Sequence, residues 1–124
     1  MAQDASSPFI SDDTRQLAAY IVGAGFEQTP EDVLEKARHH LLDTLAAMVS
    51  GSRLRAGVLA SAYLASMGGR GSCNVAGTRL QTSAVDAALA NGMMAHGDET
   101  DDSHLGGRFH PGCGIVPCVL AAAQ

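Results

Sequence analysis

The run TPEDVLEKARHHLLDTLAAMVSG, residues 29–51, reads as one helix from cap to stop. Thr29 is a side-chain N-cap, Pro30 fits the first helical position where no N–H is needed, and Asp32 supplies an acid at the third. Val33, Leu34, Ala37, Leu41, Leu42, Leu45, Met48 and Val49 follow at spacings of three and four, which puts them on one face of a helix. Gly51 is the natural C-terminal stop.

The same reading extends in both directions. Upstream, a helix starts at Asp12 or Asp13 with an apolar stripe of Leu17, Ala18, Ile21 and Val22, and Gly23 and Gly25 close it. Residues 1–11 read as a loose arm, with 12–124 as one helical domain. Downstream, an Ala-rich helix is expected from about Arg55 to Met67, ending at Gly68-Gly69. Cys73 to Ala76 reads as a short extended piece before a turn at Gly77. Ser83-Ala84-Val85-Asp86 is a capping box that opens a helix through about His96. After an irregular stretch from Gly97 to Gly114, Pro117 suits the first turn of a last helix running into Gln124. That helix has no Gly, cap or polar tail, so the expectation is an all-α fold truncated in its last helix, or continued by a partner chain.

Composition narrows the function classes. Of 124 residues, 46% are hydrophobic and 17% charged, which is globular and not disordered. The apolar side chains are mostly small, so the core requires closely approaching helices. A net charge of −5 argues against nucleic-acid binding, and no apolar run is long enough for a membrane span or a signal peptide. Cys73, Cys113 and Cys118 form no CxxC pair, and their odd number fits a reduced cytoplasmic setting. Cys113, Cys118, Met93 and Met94 read as apolar packing, and His39 and His40 as ordinary helix residues.

The chemistry concentrates in one place. From His96 to His104 the chain carries two imidazoles and four carboxylates, and His110-Pro111-Gly112 follows across Leu-Gly-Gly-Arg-Phe. Such a loop is a solvated acidic surface, a divalent-metal site or a proton-transfer site. Its spacing matches neither an EF-hand nor HExxH. A histidine beside a carboxylate offers a base and the partner that fixes its tautomer. Pro111 pushes His110 toward extended backbone, from which its imidazole can be aimed into a cleft.

Four pieces together resemble the signature region of the MmgE/PrpD family: Ala90-Asn91-Gly92 with His96, Glu99-Thr100-Asp101-Asp102-Ser103-His104, His110-Pro111-Gly112, and Val116-Pro117. Leu41-Leu42-Asp43-Thr44-Leu45 is similar to the family's second helix, and the resemblance covers nearly the whole chain after residue 12. It implies part of a helical core domain beside an α+β lid domain, homo-oligomers, no cofactor and no metal. It also implies proton transfer next to a carboxylate of a small di- or tricarboxylate, by dehydration, decarboxylation or epimerisation. Residue by residue, it assigns catalysis to Glu99, Ser103 and His110. Glu99 stands where the family commonly has Asp and Ser103 where it commonly has Thr, and both keep the functional group. The stretch from Ser103 to His110 is slightly longer than in the decarboxylase, so that one specificity is not carried across. Asp102, His104 and Arg108 are the substrate-binding candidates, with Asp101 and Asp102 also read as structural, accepting loop amides or bonding Arg108. His96 is expected to be a satisfied core or dipole-facing histidine. The family's other catalytic groups, a second His and lysines, have no counterpart here: the one lysine, Lys36, lies mid-helix. A second polypeptide or downstream sequence is therefore expected to complete the site. Two other readings stay open: a catalytically silent helical assembly subunit, and a metal-dependent hydrolase using the acidic loop.

Overall fold

The computed structural model describes residues 10–97 and 99–124, so most of the arm expected over 1–11 lies outside the described residues. The chain is helical: α1 (Asp12–Gly23), a short 3-10 turn (Phe26–Gln28), α2 (Glu31–Gly51), α3 (Arg55–Met67), α4 (Ala84–Gly97) and α5 (Pro111–Ala123). A two-stranded antiparallel hairpin, β1 (Cys73–Asn74) with β2 (Gln81–Thr82), sits between α3 and α4. The described residues form two compact units that divide after Glu35, within α2.

In the first unit, α1 starts where the sequence places it. The Thr14 N–H donates to Ser11 Oγ, and Asp12 and Asp13 occupy the first turn, where they oppose the positive end of the helix dipole. Its expected apolar stripe is exposed: Leu17 and Ile21 lie open to solvent.

In the second unit, the core is built from small residues and two methionines. Met48 of α2 and Met94 of α4 are fully buried with Val75, beside Ala60 and Leu64 of α3 and Ala90 and Ala95 of α4. Close approach is what makes this work. A Cβ on Gly51 would lie 1.9 Å from the Met94 carbonyl oxygen, so only glycine lets the end of α2 touch the backbone of α4. Asn91, inside α4, is buried and clamps the hairpin: its Oδ1 accepts the Ala76 N–H at 2.8 Å and its Nδ2 donates to the Asn74 carbonyl at 3.0 Å. Two backbone groups where the chain leaves β1 thereby find partners that a two-residue ladder cannot supply. Ser83 and Asp86 form the expected cap of α4, with the Asp86 N–H donating to Ser83 Oγ and that hydroxyl donating to Asp86 Oδ2 at 2.8 Å.

Four readings need correction. The last helix starts at Pro111, not near Pro117, and Pro117 is a buried interior residue. Pro117 offers no N–H to the Cys113 carbonyl four residues back; α4 passes close there, since a Cβ on Gly92 would lie 3.1 Å from that oxygen. The hairpin's second strand was not expected at all. Met93 is 42% exposed while its neighbour Met94 is buried, because α4 turns only one of the two toward the core. Cys118 is likewise exposed, on the outer side of α5.

Candidate active site

The irregular stretch is folded by one local closure. His104 and Phe109 form an isolated antiparallel bridge, in which the His104 N–H donates to the Phe109 carbonyl at 2.9 Å. Inside it the Arg108 N–H donates to the His104 carbonyl, and the Gly107 N–H donates to His104 Nδ1, both at 2.8 Å. Arg108 takes a left-handed conformation (φ 53°) to make the turn. The pair flanking the bridge on the outside is Ser103 and His110, and the turn brings them together with Ser103 Oγ 3.4 Å from His110 Nδ1. Ser103, His104, Leu105, Arg108, Phe109 and His110 line an open depression of about 310 Å³.

His110 is the N-cap residue of α5 and has the extended backbone expected of it, φ −107° and ψ 94°. Its side chain makes no capping bond, so the cap comes from elsewhere: Asp102 Oδ1 accepts the Gly112 N–H at 2.7 Å. A carboxylate at a helix N-terminus satisfies an orphan donor and meets the positive end of the dipole. The arrangement leaves no room at residue 112, where a Cβ would lie 2.5 Å from both Asp102 Oδ1 and Thr44 Oγ1. Asp102 Oδ2 in turn faces His40 Nδ1 at 3.5 Å.

The tautomer of His110 follows from these contacts. Nδ1 lies 2.9 Å from the Asp102 carbonyl oxygen, which can only accept, so Nδ1 carries the proton. In the neutral ring Nε2 is then the free base. His110 is one-third exposed, which leaves it reachable from the depression.

Asp101 is the unexpected member. Its side chain is fully buried, and neither carboxylate oxygen meets hydrogen-bond geometry with any donor among the described residues. Two imidazoles face it instead: His110 Nδ1 at 3.4 Å from Oδ1 and His96 Nδ1 at 3.6 Å from Oδ2, the two rings 5.4 Å apart. The expectation that Asp101 accepts loop amides is therefore corrected, because Asp102 takes the amide. Neither aspartate is ion-paired with Arg108 among the described residues. Of the two readings of His96, the core one is corrected: it is half-exposed and turned toward Asp101, and it sits in the last turn of α4, where the dipole-facing reading puts it. Sequence reasoning missed the inward turn of Asp101 and the contact of His40, since an acid within an acidic run reads as solvated.

The candidate residues are thus only partly assembled. Ser103, His104, Arg108 and His110 share the depression, while Glu99 and Asp102 are not among its lining residues. Glu99 is exposed and left-handed (φ 55°), a conformation that costs a non-glycine residue about 1 kcal/mol and is held only by its surroundings. The donor atoms of His96, Asp101 and Cys113 lie within 4.8 Å of one another, a set that can in principle receive a cation. The thiol is its weak member. Burial first, and then the neighbouring Asp101 carboxylate, push the Cys113 thiol above its ordinary range, so a cation would have to displace a held proton.

Residues 15–124 match the MmgE/PrpD N-terminal domain. The chain is 29% identical over 111 residues to the cis-aconitate decarboxylase-like protein oryM of Aspergillus oryzae, covering 90% of this chain and 23% of that protein. It is 28% identical over 122 residues to the cis-aconitate decarboxylase of Aspergillus terreus, covering 98% of this chain and 25% of the relative. The chain thus spans about a quarter of the length of these relatives. No solved structure matches it. With the family's domain matched over nearly all of its length, the chain belongs to the MmgE/PrpD family.

Proposed function

We propose that this chain carries the acid–base part of a lyase or isomerase that moves a proton next to a carboxylate of a small di- or tricarboxylate, using no cofactor or metal. The observation behind it is His110, held through Nδ1 by the Asp102 carbonyl with Nε2 free, beside Ser103 at a solvent-open depression. The two cis-aconitate decarboxylase-type relatives favour the same class.

The residues divide the work. Nε2 of His110 takes a C–H proton from the carbon beside the carboxylate, and the electron pair moves into a new double bond as a leaving group departs. In a decarboxylation the ring instead starts as the imidazolium: the bond to CO₂ breaks, and Nε2 gives its proton to the carbon that receives the electron pair, leaving the neutral ring to be reprotonated by water. Ser103 donates a hydrogen bond to the substrate, its hydroxyl proton being unneeded at the already protonated Nδ1. Arg108, and the N-terminus of α5, favour a carboxylate at the mouth. Asp102 and His104 hold the substrate-facing turn, and Glu99 receives or orients a proton once further sequence closes the depression. That sequence is proposed to supply the missing His and Lys groups, and the complete enzyme to be a homo-oligomer.

The test is direct. The isolated chain should give no turnover of cis-aconitate or methylcitrate, while the enzyme completed by its remaining sequence should be active and should survive prolonged chelation. There, His110→Ala should lower kcat by about 10²–10⁴-fold with folding and assembly intact. His39→Ala, on α2, is the control and should change kcat little. Near-normal kcat in His110→Ala would remove the assignment, and an inactive complete enzyme with intact assembly would favour the silent assembly subunit. Activity lost to chelation and restored by one divalent metal would favour the hydrolase reading.

A further inference from the structure

Asp101 has no part in the chemistry proposed above, yet its placement is the least ordinary in the second unit. A carboxylate with no exposed side-chain surface normally accepts two or more hydrogen bonds, because burying an unpaired charge costs several kcal/mol. Here the backbone amide that could have served goes to Asp102, and the oxygens of Asp101 are left to face two imidazole nitrogens and the Cys113 thiol. The surrounding groups are few and can be named: His96 from the end of α4, Cys113 from α5, and Asp102 from the same loop, itself against His40 of α2. No lysine or arginine forms an ion pair with Asp101 among the described residues.

We propose that Asp101 is a positioning residue that bridges His110 and His96, holding the His110 ring by its Nδ1–H edge so that Nε2 stays turned to the depression. The Asp102 carbonyl alone fixes which nitrogen carries the proton but leaves the ring free to pivot about that bond. A carboxylate oxygen 3.4 Å away on the same edge attracts that N–H electrostatically and restrains the pivot. When Nε2 takes a proton, the ring becomes an imidazolium, and the positive charge forms beside a fixed negative one in a place shielded from water. His96, 3.6 Å from the other oxygen, keeps the carboxylate from rotating away. The inference deepens the reading of His110 as the acid–base group and rests on it, but the contact itself is testable without turnover.

The readout is the tautomer of His110 in the full chain labelled with ¹⁵N-histidine, recorded above the pH range in which histidine titrates. The His110 signals are assigned by their loss in His110→Ala. Wild type should show His110 in the Nδ1–H form. Asp101→Asn takes the negative charge from that edge while the Asp102 carbonyl keeps the proton on Nδ1, so it should move the His110 Nδ1–H resonance while the backbone amide spectrum keeps its dispersion. Wild-type His110 in the Nε2–H form overturns the proposal, and so does a folded Asp101→Asn with His110 unchanged. Should Asp101→Asn fail to fold, His96→Asn at a half-exposed site serves instead: the bridge requires the His110 Nδ1–H resonance to move, and an unmoved resonance overturns it. In the completed enzyme, Asp101→Asn should lower kcat about 10²-fold or more while KM changes far less, the pattern of a misaimed base. If His110→Ala keeps its turnover while these spectra behave as expected, the acid–base reading falls and the bridge stands.

Discussion

Cys113 offers an independent view of the same carboxylate. Its thiol is pushed up by burial, then by the hydrogen-bonding pull of Asp101 on its proton and by the negative charge of that carboxylate, so its thiolate is scarcer at any given pH than that of an ordinary cysteine. Alkylation by iodoacetamide at mildly alkaline pH should therefore reach the exposed Cys118 well before Cys113, read by peptide mass spectrometry. Raising the pH should close the gap, because thiolate appears as pH climbs toward the raised value. Asp101→Asn removes one of the causes and should speed Cys113 modification at fixed pH. Equal rates at Cys113 in both proteins would mean that the charge of Asp101 does not reach the sulfur. At this scale the sequence made the extended backbone of residue 110 legible, since His-Pro forces it. Which of the adjacent Asp101 and Asp102 turns inward was not legible, because the choice is made by α5, whose first free amide needs one of them.

Helices α1 to α4 were readable because their ends are set by local chemistry: Ser83 with Asp86, the acids at the start of α1, Gly51 at the end of α2. α5 was misplaced because Gly112 and Gly114 look like breakers, and only the fold shows that they differ. Gly112 is glycine for space, with Thr44 and Asp102 where its side chain would be, whereas a Cβ at Gly114 meets nothing within 4 Å. Gly112→Ala should thus lose about 1–3 kcal/mol, as overpacked sites do, and Gly114→Ala should gain up to about 1 kcal/mol from helix propensity. Chemical denaturation of both variants checks the pair, and a shared sign would contradict the packing described. The hairpin went half-seen for a similar reason: two-residue strands carry no periodic signal, and what stabilises them is Asn91 on another element. Asn91→Ala leaves the Ala76 N–H and Asn74 carbonyl without their partner and should cost about 2–4 kcal/mol. A Tm lowered by less than a few degrees would show that water replaces it.

Over the second unit as a whole, the outer faces of the helices stay apolar. Val58, Leu59 and Tyr63 of α3, Val85 and Leu89 of α4, and Ile115 and Val119 of α5 are all more than half exposed. Surfaces of this kind self-associate or are covered, and relatives four times longer have the chain with which to cover them. Isolated, this chain should bind an apolar dye strongly and sediment in a concentration-dependent way; the completed protein should bind far less dye per mole of this segment. Equal dye binding by both would show that the rest of the sequence packs elsewhere. No helix among the described residues is long and apolar enough to cross a membrane. The bridge between His104 and Phe109 has a bearing on how such a molecule diversifies. It ties the turn at its base, so Leu105, Gly106, Gly107 and Arg108 form a tip that can be exchanged or lengthened while Ser103 and His110 keep their register. Under the proposed function, mutational drift at the tip would retune which acid is admitted without disturbing the pair proposed to handle the proton, letting substrate choice evolve separately from chemistry.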